Sequence, residues 1–142
     1  MKSRVVLRQD LSGELPPVVG DRIQVQQVVL NLIMNGSEAM SSTVEGPREL
    51  VVSSKSLAGH GARPSVLVAV RDSGAGIKQE DMNKMFDAFF TTKAGGMGMG
   101  LSMSRSIVED HGGDLWATPN QGPGLTMQFT LPAECGLSLI HI

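Results

Sequence analysis

The 142-residue sequence contains one cysteine, Cys135, so no internal disulfide is possible and a reducing compartment fits best. No apolar run approaches the length of about 18 residues that a membrane-spanning helix needs. The opening residues, MKSRVVLRQD, lack the apolar stretch of a signal peptide. The net charge of −2 provides no basic excess for nucleic acid. These absences leave a soluble globular domain with no nucleic acid or membrane partner.

Glycine, in contrast, is abundant, with 17 of 142 residues against an average of about 7%. The glycines concentrate at residues 74–76 and 95–100, which indicates local loop functions and not a flexible linker. Hydrophobic residues make up 41% and charged residues 18%, as is typical of one folded domain with a core of its own.

Helices and strands are predicted without regular alternation. Asp21 is a candidate N-cap for a helix from Arg22 to about Met40, and Gly112–Gly113 a candidate C-cap for a helix over about 99–111. Residues 79–90 have only weak helical spacing. The mixture predicts an α+β fold with helices layered on one sheet. Strands are predicted at 3–9, 49–57, 64–72, 114–120 and 124–132, with 64–72 at the centre because it is apolar throughout.

An unusual polar stripe follows the first predicted helix. Asn31, Asn35 and Glu38 stand at i, i+4 and i+7, so they share one face. Oxygen ligands of this kind suit Mg²⁺, which takes few protein groups and binds phosphates as well. The alternative is an ordinary solvated face, and the spacing alone does not decide between the two.

The segment RDSGAGI, residues 71–77, places Asp72 at the end of a predicted buried strand. A carboxylate at the bottom of an apolar pocket could accept the exocyclic amine of adenine, and Gly74 and Gly76 would let the base approach the main chain. The alternative is a strand end closed by an Asx-turn.

The segment GGMGMGL, residues 95–101, directly precedes a predicted helix. Glycines let a ligand approach the main chain closely, and a helix N-terminus offers free N–H groups. A glycine run followed by a helix N-terminus is therefore typical of a phosphate site. The segment is neither a P-loop nor the dinucleotide fingerprint, because both patterns differ from it. A glycine-rich run alone does not establish such a site.

Taken in order, four motifs resemble the N, G1, F and G2 boxes of the sensor histidine kinases. These kinases belong to the ATP-binding superfamily shared with DNA gyrase and the mismatch-repair ATPases. The motifs are residues 21–40, 72–76, 86–93 and 96–101, and the similarity covers about residues 3–132. The resemblance implies the Bergerat ATP-binding fold, a two-layer sandwich whose mixed, mainly antiparallel sheet is covered on one face by helices.

The resemblance also implies roles for the polar residues. Asn35 matches the Mg²⁺ ligand, and Asn31 the second amide of the N box, near the phosphates and a metal-bound water. Asp72 matches the carboxylate that binds adenine, with Gly74 and Gly76 shaping its pocket. ATP and Mg²⁺ are therefore the expected cofactors.

The phosphate end of the site is carried over in the same way. Lys93 follows the F box and is expected to reach the γ-phosphate, while Arg105 matches a basic position on the following helix. The resemblance implies that the segment 95–101 is the hinge of a lid that closes over phosphate, and Phe86, Phe89 and Phe90 are expected to anchor this lid by packing. The other predicted ATP contacts are Ile77, Gly96, Gly98, Gly100 and Leu101.

The implied activity is transfer of the γ-phosphoryl group to a histidine on a separate dimerisation and phosphoacceptor segment. None of His60, His111 and His141 stands in a helical phosphoacceptor setting, and His111 is expected to have a structural role at a helix end. An ATP hydrolase of the same superfamily carries a glutamate where Asn31 stands, and an amide cannot accept a proton at neutral pH. A nucleotide-binding partner module without kinase activity is the third alternative.

The resemblance divides the chain into a catalytic domain over residues 1–133 and a frayed or vector-derived tail over 134–142. The expected partners are the phosphoacceptor helices of the same kinase and a downstream response regulator. The expected location of this domain is the cytoplasm, and this expectation also holds if the full-length sensor is anchored in a membrane.

Overall fold

Five strands form the main sheet in the computed structural model, which describes residues 6–11, 18–40, 48–57, 64–74, 76–82, 84–87, 100–133 and 139–140. The strand order is β1(Val6–Leu11), β3(Glu49–Leu57), β4(Ser65–Arg71), β6(Leu125–Pro132), β5(Leu115–Pro119). β1 pairs with β3 in parallel, and the other neighbouring strands are antiparallel. The α+β class and the mainly antiparallel sheet are confirmed, with β4 at the centre.

Helix α1(Arg22–Met40) has the bounds that the sequence predicts. Asp21 caps it, because its Oδ1 accepts hydrogen bonds from the N–H of Ile23 at 2.9 Å and of Gln24 at 3.2 Å. The buried positions recur with helical spacing and lie on the predicted apolar face. They are Val25, Val28, Leu32, Gly36 and Met40.

The helices cover one face of the sheet. Side chains that stand opposite each other on neighbouring strands, such as Val68 and Phe129, are fully buried there. Leu32 of α1 belongs to the same buried cluster. Lys55 and Trp116, in contrast, are exposed. The two-layer arrangement is thus confirmed.

Helix α2(Gly100–Asp110) ends in the predicted glycine cap. Gly112 has a φ of +84°, and the N–H of Gly113 donates to the carbonyl oxygen of Val108 at 3.0 Å. The N–H of Gly112 donates to the carbonyl oxygen of Glu109 at 3.0 Å, which completes a Schellman motif.

The two helices lie side by side in opposite directions. At one end the N–H of Asp21 donates to Nε2 of His111 at 3.0 Å, so Nδ1 carries the proton and donates to the carbonyl oxygen of Ile107 at 2.8 Å. Further along, Nδ2 of Asn31 donates to Oγ of Ser104 at 3.2 Å. His111 therefore joins the start of α1 to the end of α2, which agrees with its predicted structural role.

Three predicted segments differ from the structure. The first strand continues to Leu11 and does not end at residue 9, whereas residues 3–5 of the predicted strand lie outside the described residues. The described residues of the weakly helical stretch, 79–82 and 84–87, form the 3₁₀ turn Gln79–Asp81 and further turns. Their hydrogen bonds span three residues, as from the N–H of Lys84 to the carbonyl oxygen of Asp81, and such turns carry no helical apolar period.

The tail is the third difference. β7(Leu139–Ile140) pairs in antiparallel orientation with β2(Val18–Val19), so this part of the expected frayed tail is a strand. Two residues are too few for a strand period to show, and the partner lies at the other end of the sequence. The domain boundary at residue 133 stays a prediction. Among the described residues, no helix combines the length and the apolarity needed to cross a membrane.

Candidate functional site

Asp72 directly follows the central strand β4 and is buried, with 4% of its surface exposed. Its Oδ1 accepts hydrogen bonds from the N–H of Gly74 at 2.9 Å and of Leu125 at 3.3 Å. Its own N–H donates to the carbonyl oxygen of Leu125 at 3.0 Å. The bond to Gly74 is an Asx-turn, so that alternative is realised. The bond to Leu125 shows that the carboxylate is also held by β6.

Helix α1 passes close to this carboxylate at Gly36. A Cβ atom built on Gly36 would lie 2.6 Å from Cδ1 of Leu50 and 3.6 Å from Oδ2 of Asp72. Gly74 packs against the end of the same helix, since a Cβ there would lie 2.5 Å from the carbonyl oxygen of Ala39. A side chain at Gly74 would collide with the main chain of α1, whereas a side chain at Gly36 would meet chiefly the side chain of Leu50.

The polar stripe of α1 lies beside α2. Asn31 is half-buried and bonds to Ser104, which is fully buried. Asn35, one turn further along, is also half-buried, whereas Glu38 is exposed. The solvated-face alternative therefore describes Glu38 but not the two amides.

The remaining described site residues surround these groups. Gly100 is exposed and begins α2, and Leu101 packs against the core. Because the helices run in opposite directions, the part of α1 that follows Asn31 runs toward the start of α2. Gly76 has a φ of +76° and lies beside the turn between β5 and β6, and Ile77 packs against the core.

Residues 20–134 match the family model for histidine kinase-, DNA gyrase B- and HSP90-like ATPases. The chain belongs to this ATPase family. It is 44% identical over 132 residues to the sensor protein FixL of Bradyrhizobium diazoefficiens, covering 93% of this chain and 25% of FixL. It is 45% identical over 129 residues to the C4-dicarboxylate transport sensor protein DctS of Rhodobacter capsulatus, covering 91% of this chain and 19% of DctS.

Among solved structures, the nucleotide-free catalytic domain of the histidine kinase ThkA is similar to this chain with a TM-score of 0.75 and 33% identity. The match covers 90% of this chain and 78% of that domain. The predicted resemblance to sensor histidine kinase catalytic domains is thus confirmed. The chain spans a quarter or less of the length of FixL and DctS.

Arg105 of this ATPase-family domain contacts Phe86 and Glu109, and its contacts do not connect it to Asp72. Its guanidinium carbon is 4.7 Å from the ring centroid of Phe86, and Nε is 3.9 Å from Oε2 of Glu109. The phosphate role of Arg105 therefore stays a prediction. Beside it lies an open cavity of about 240 Å³. The cavity is lined by Met82, Phe86, Arg105, Leu115, Trp116 and Ala117.

Several predicted residues of the lid lie outside the described residues. They are Lys93, Gly96, Gly98, Phe89 and Phe90. Within the described ranges, no three His, Cys, Asp or Glu side chains are grouped so that they could hold a metal ion.

Two parts of the site were missed from the sequence. Ser104, which receives the hydrogen bond of Asn31, carries no motif signal on its helix. The predicted strands 114–120 and 124–132 leave a short connection between them, but the contact of this connection with Asp72 was not predicted. That contact is made by Asn120, 48 residues away along the chain, and no local pattern reports it.

Proposed function

We propose that the chain binds Mg·ATP and donates the γ-phosphoryl group to a histidine on a separate phosphoacceptor segment. The observation that carries the proposal is the approach of α1 to Asp72 across Gly36. It brings a buried carboxylate next to a helix that carries two half-buried amides. Membership of an ATPase family and relatives that are sensor kinases support the same conclusion.

Asp72 suits the 6-amino group of adenine. An ionised carboxylate only accepts hydrogen bonds, and an exocyclic amine donates them. The Asx-turn with Gly74 and the bond from Leu125 fix the orientation of Oδ1. A fixed acceptor in a buried site discriminates strongly between bases, because a base that presents an acceptor there leaves a buried charge unpaired.

The described residues fit Mg²⁺ only together with phosphate. No cluster of carboxylates or histidines is available in the described ranges, so the protein would supply the amide oxygen of Asn35. Mg²⁺ ordinarily combines one or two protein ligands with waters and phosphate oxygens. When bound, the ion would neutralise charge on the β- and γ-phosphates. Asn31 donates through Nδ2 to Ser104, which leaves its Oδ1 to accept from a metal-bound water.

The transfer step places few chemical demands on this chain. A neutral imidazole nitrogen attacks the γ-phosphorus, the new N–P bond forms as the bond to the β-γ bridging oxygen breaks, and ADP leaves. Such transfer depends mainly on positioning and charge neutralisation. His111 is unsuited as the acceptor, because both ring nitrogens are engaged, with Asp21 and Ile107. The acceptor helices and a response regulator are therefore the proposed partners, and the cytoplasm the proposed location.

A transfer assay tests the proposal. The chain is incubated with γ-labelled Mg·ATP, alone and with a two-helix segment that carries a phosphoacceptor histidine from a sensor kinase of the same family. Alone, it should acquire no acid-labile phosphate. With the segment, label should appear on the histidine, slowly, because the effective concentration that a tether gives is lost.

Two controls make the assay specific. A segment with its histidine replaced by alanine should stay unlabelled, and Asn35→Ala in this chain should abolish transfer. Rapid hydrolysis of ATP, at about 1–10 per second, without transfer would identify a hydrolase instead. Tight binding of ATP with neither reaction would identify a nucleotide-binding partner module.

A further inference from the structure

Asn120, at the start of the turn between β5 and β6, contacts the main chain of Asp72. We propose that Asn120 is a positioning residue that aligns the carboxylate of Asp72 and so sets the preference of the site for a purine with a 6-amino group. The inference rests on the proposed function, since it concerns the same adenine pocket. Asn120 itself need not contact the nucleotide.

The side chain of Asn120 is held at both ends. Nδ2 donates to the carbonyl oxygen of Asp72 at 2.8 Å and to that of Pro123 at 3.2 Å. Oδ1 accepts a hydrogen bond from Oγ1 of Thr126 at 2.6 Å. The two carbonyl acceptors and the hydroxyl donor leave one orientation of the amide that satisfies every bond. Asn120 is therefore a rigid link between the turn and Asp72.

The turn itself is shaped to lie against Asp72. Gly124 has a φ of +101°, and a Cβ built on it would collide with the carbonyl oxygen of Asp72. The main-chain N–H of Asn120 donates to the carbonyl oxygen of Gly124 at 3.3 Å, which closes the turn. The next residue, Leu125, supplies the N–H that bonds to Oδ1 of Asp72.

These contacts hold Asp72 from two sides. Asn120 fixes the main-chain carbonyl, and with it the direction in which the side chain leaves the backbone. Leu125 fixes one carboxylate oxygen. If Asn120 is truncated, the Asp72 carbonyl loses a donor and the turn that carries Leu125 loses a restraint. The carboxylate then becomes less well aligned, and a ligand group that bonds to it loses affinity, whereas the other ligand groups do not.

The test compares two ligands that differ at one position of the base. ATP carries the 6-amino group, and purine riboside triphosphate has hydrogen there. Dissociation constants for both, with Mg²⁺, are measured by calorimetry for wild type, Asn120→Ala and Asn120→Asp. The Asp variant keeps the shape and the acceptor for Thr126 but removes both donated bonds. Gln121→Ala is the matched control, because Gln121 lies in the same turn and is exposed.

Wild type and Gln121→Ala should prefer ATP to the same extent. Both Asn120 variants should bind ATP about three- to tenfold more weakly, as expected for one misaligned hydrogen bond, and bind purine riboside triphosphate as wild type does. An equal loss for both ligands, or no loss for either, overturns the positioning role. A wild-type chain that binds neither ligand overturns the proposed function as well.

Discussion

At the scale of single residues, Asp72 is a polar carboxylate in a buried position, and these two properties oppose each other. A buried carboxylate costs free energy unless its hydrogen bonds are satisfied. The N–H groups of Gly74 and Leu125 satisfy Oδ1, and α1 passes close to Oδ2 at Gly36. Asp72 is thus stabilised by its own surroundings before any ligand arrives, and a fixed acceptor discriminates better than a mobile one.

Replacement of Asp72 by asparagine separates recognition from folding. The amide keeps an oxygen for Gly74 and Leu125, so stability should change little. The NH₂ group of the new asparagine and the 6-amino group of adenine would both be hydrogen-bond donors, so ATP should bind about ten- to a hundredfold more weakly. The ratio of the affinities for ATP and GTP should fall as well. Calorimetry measures the affinities, and Asp110→Ala on the exposed side of α2 serves as the control. Unchanged affinity for ATP in Asp72→Asn would remove Asp72 from the adenine site.

The same scale shows what could be predicted from the sequence. Asp72 was found because it ends an apolar strand and is followed by two glycines, which is a local signal. Asn120 contacts it from 48 residues away through a side chain, and only the pairing of β6 with β4 brings them together. A residue whose role depends on a non-local register leaves no mark in the local pattern.

At the scale of elements, α1 could be predicted residue by residue. The cap at Asp21 and the apolar period over 19 residues agree with each other, and long periodic segments are the clearest signal in a sequence. The described residues between 79 and 87 fold into turns whose hydrogen bonds span three residues, and β7 is two residues long, so neither has a period to detect. Predictability follows the length of the element.

Gly113, between α2 and β5, and Gly122, between β5 and β6, form a matched pair of variants that tests the packing between elements. A Cβ on Gly113 would collide with the carbonyl oxygen of Thr130, which lies on β6 and cannot move without the sheet. Gly113→Ala should therefore lower the free energy of unfolding by about 1–3 kcal/mol. A Cβ on Gly122 meets nothing within 4 Å, so Gly122→Ala should change it by less than about 0.5 kcal/mol. Urea unfolding measures both, and equal losses would contradict the packing described.

At the scale of the whole molecule, the candidate site depends on elements that come from all parts of the chain. Asn35 lies on α1, Asp72 follows β4, and Asn120 begins the turn that connects β5 to β6. The resemblance to the kinases implies a mixed sheet, but the parallel pairing of β1 with β3 at the sheet edge was not predicted, because residue patterns do not give strand order. In the unfolded chain these groups are far apart.

Because the site exists only in the folded molecule, ligand binding should be linked to global stability. With Mg·ATP at a hundred times its dissociation constant, the free energy of unfolding should rise by about 2.7 kcal/mol. Urea titration followed by the fluorescence of Trp116, the single tryptophan, measures the increment. Equal unfolding midpoints with and without Mg·ATP would contradict the proposed binding.

Two variants separate the site from the core in this measurement. Leu32→Ala removes a fully buried core side chain of α1 that is not part of the polar stripe, so it should cost about 2–5 kcal/mol but keep the full increment from saturating Mg·ATP. Asn35→Ala should keep most of the stability but lose the part of the increment that Mg²⁺ adds over ATP with EDTA, because the amide oxygen would be missing from the metal. If Asn35→Ala gains as much from Mg²⁺ as wild type does at the same ATP concentration, Asn35 does not bind the ion.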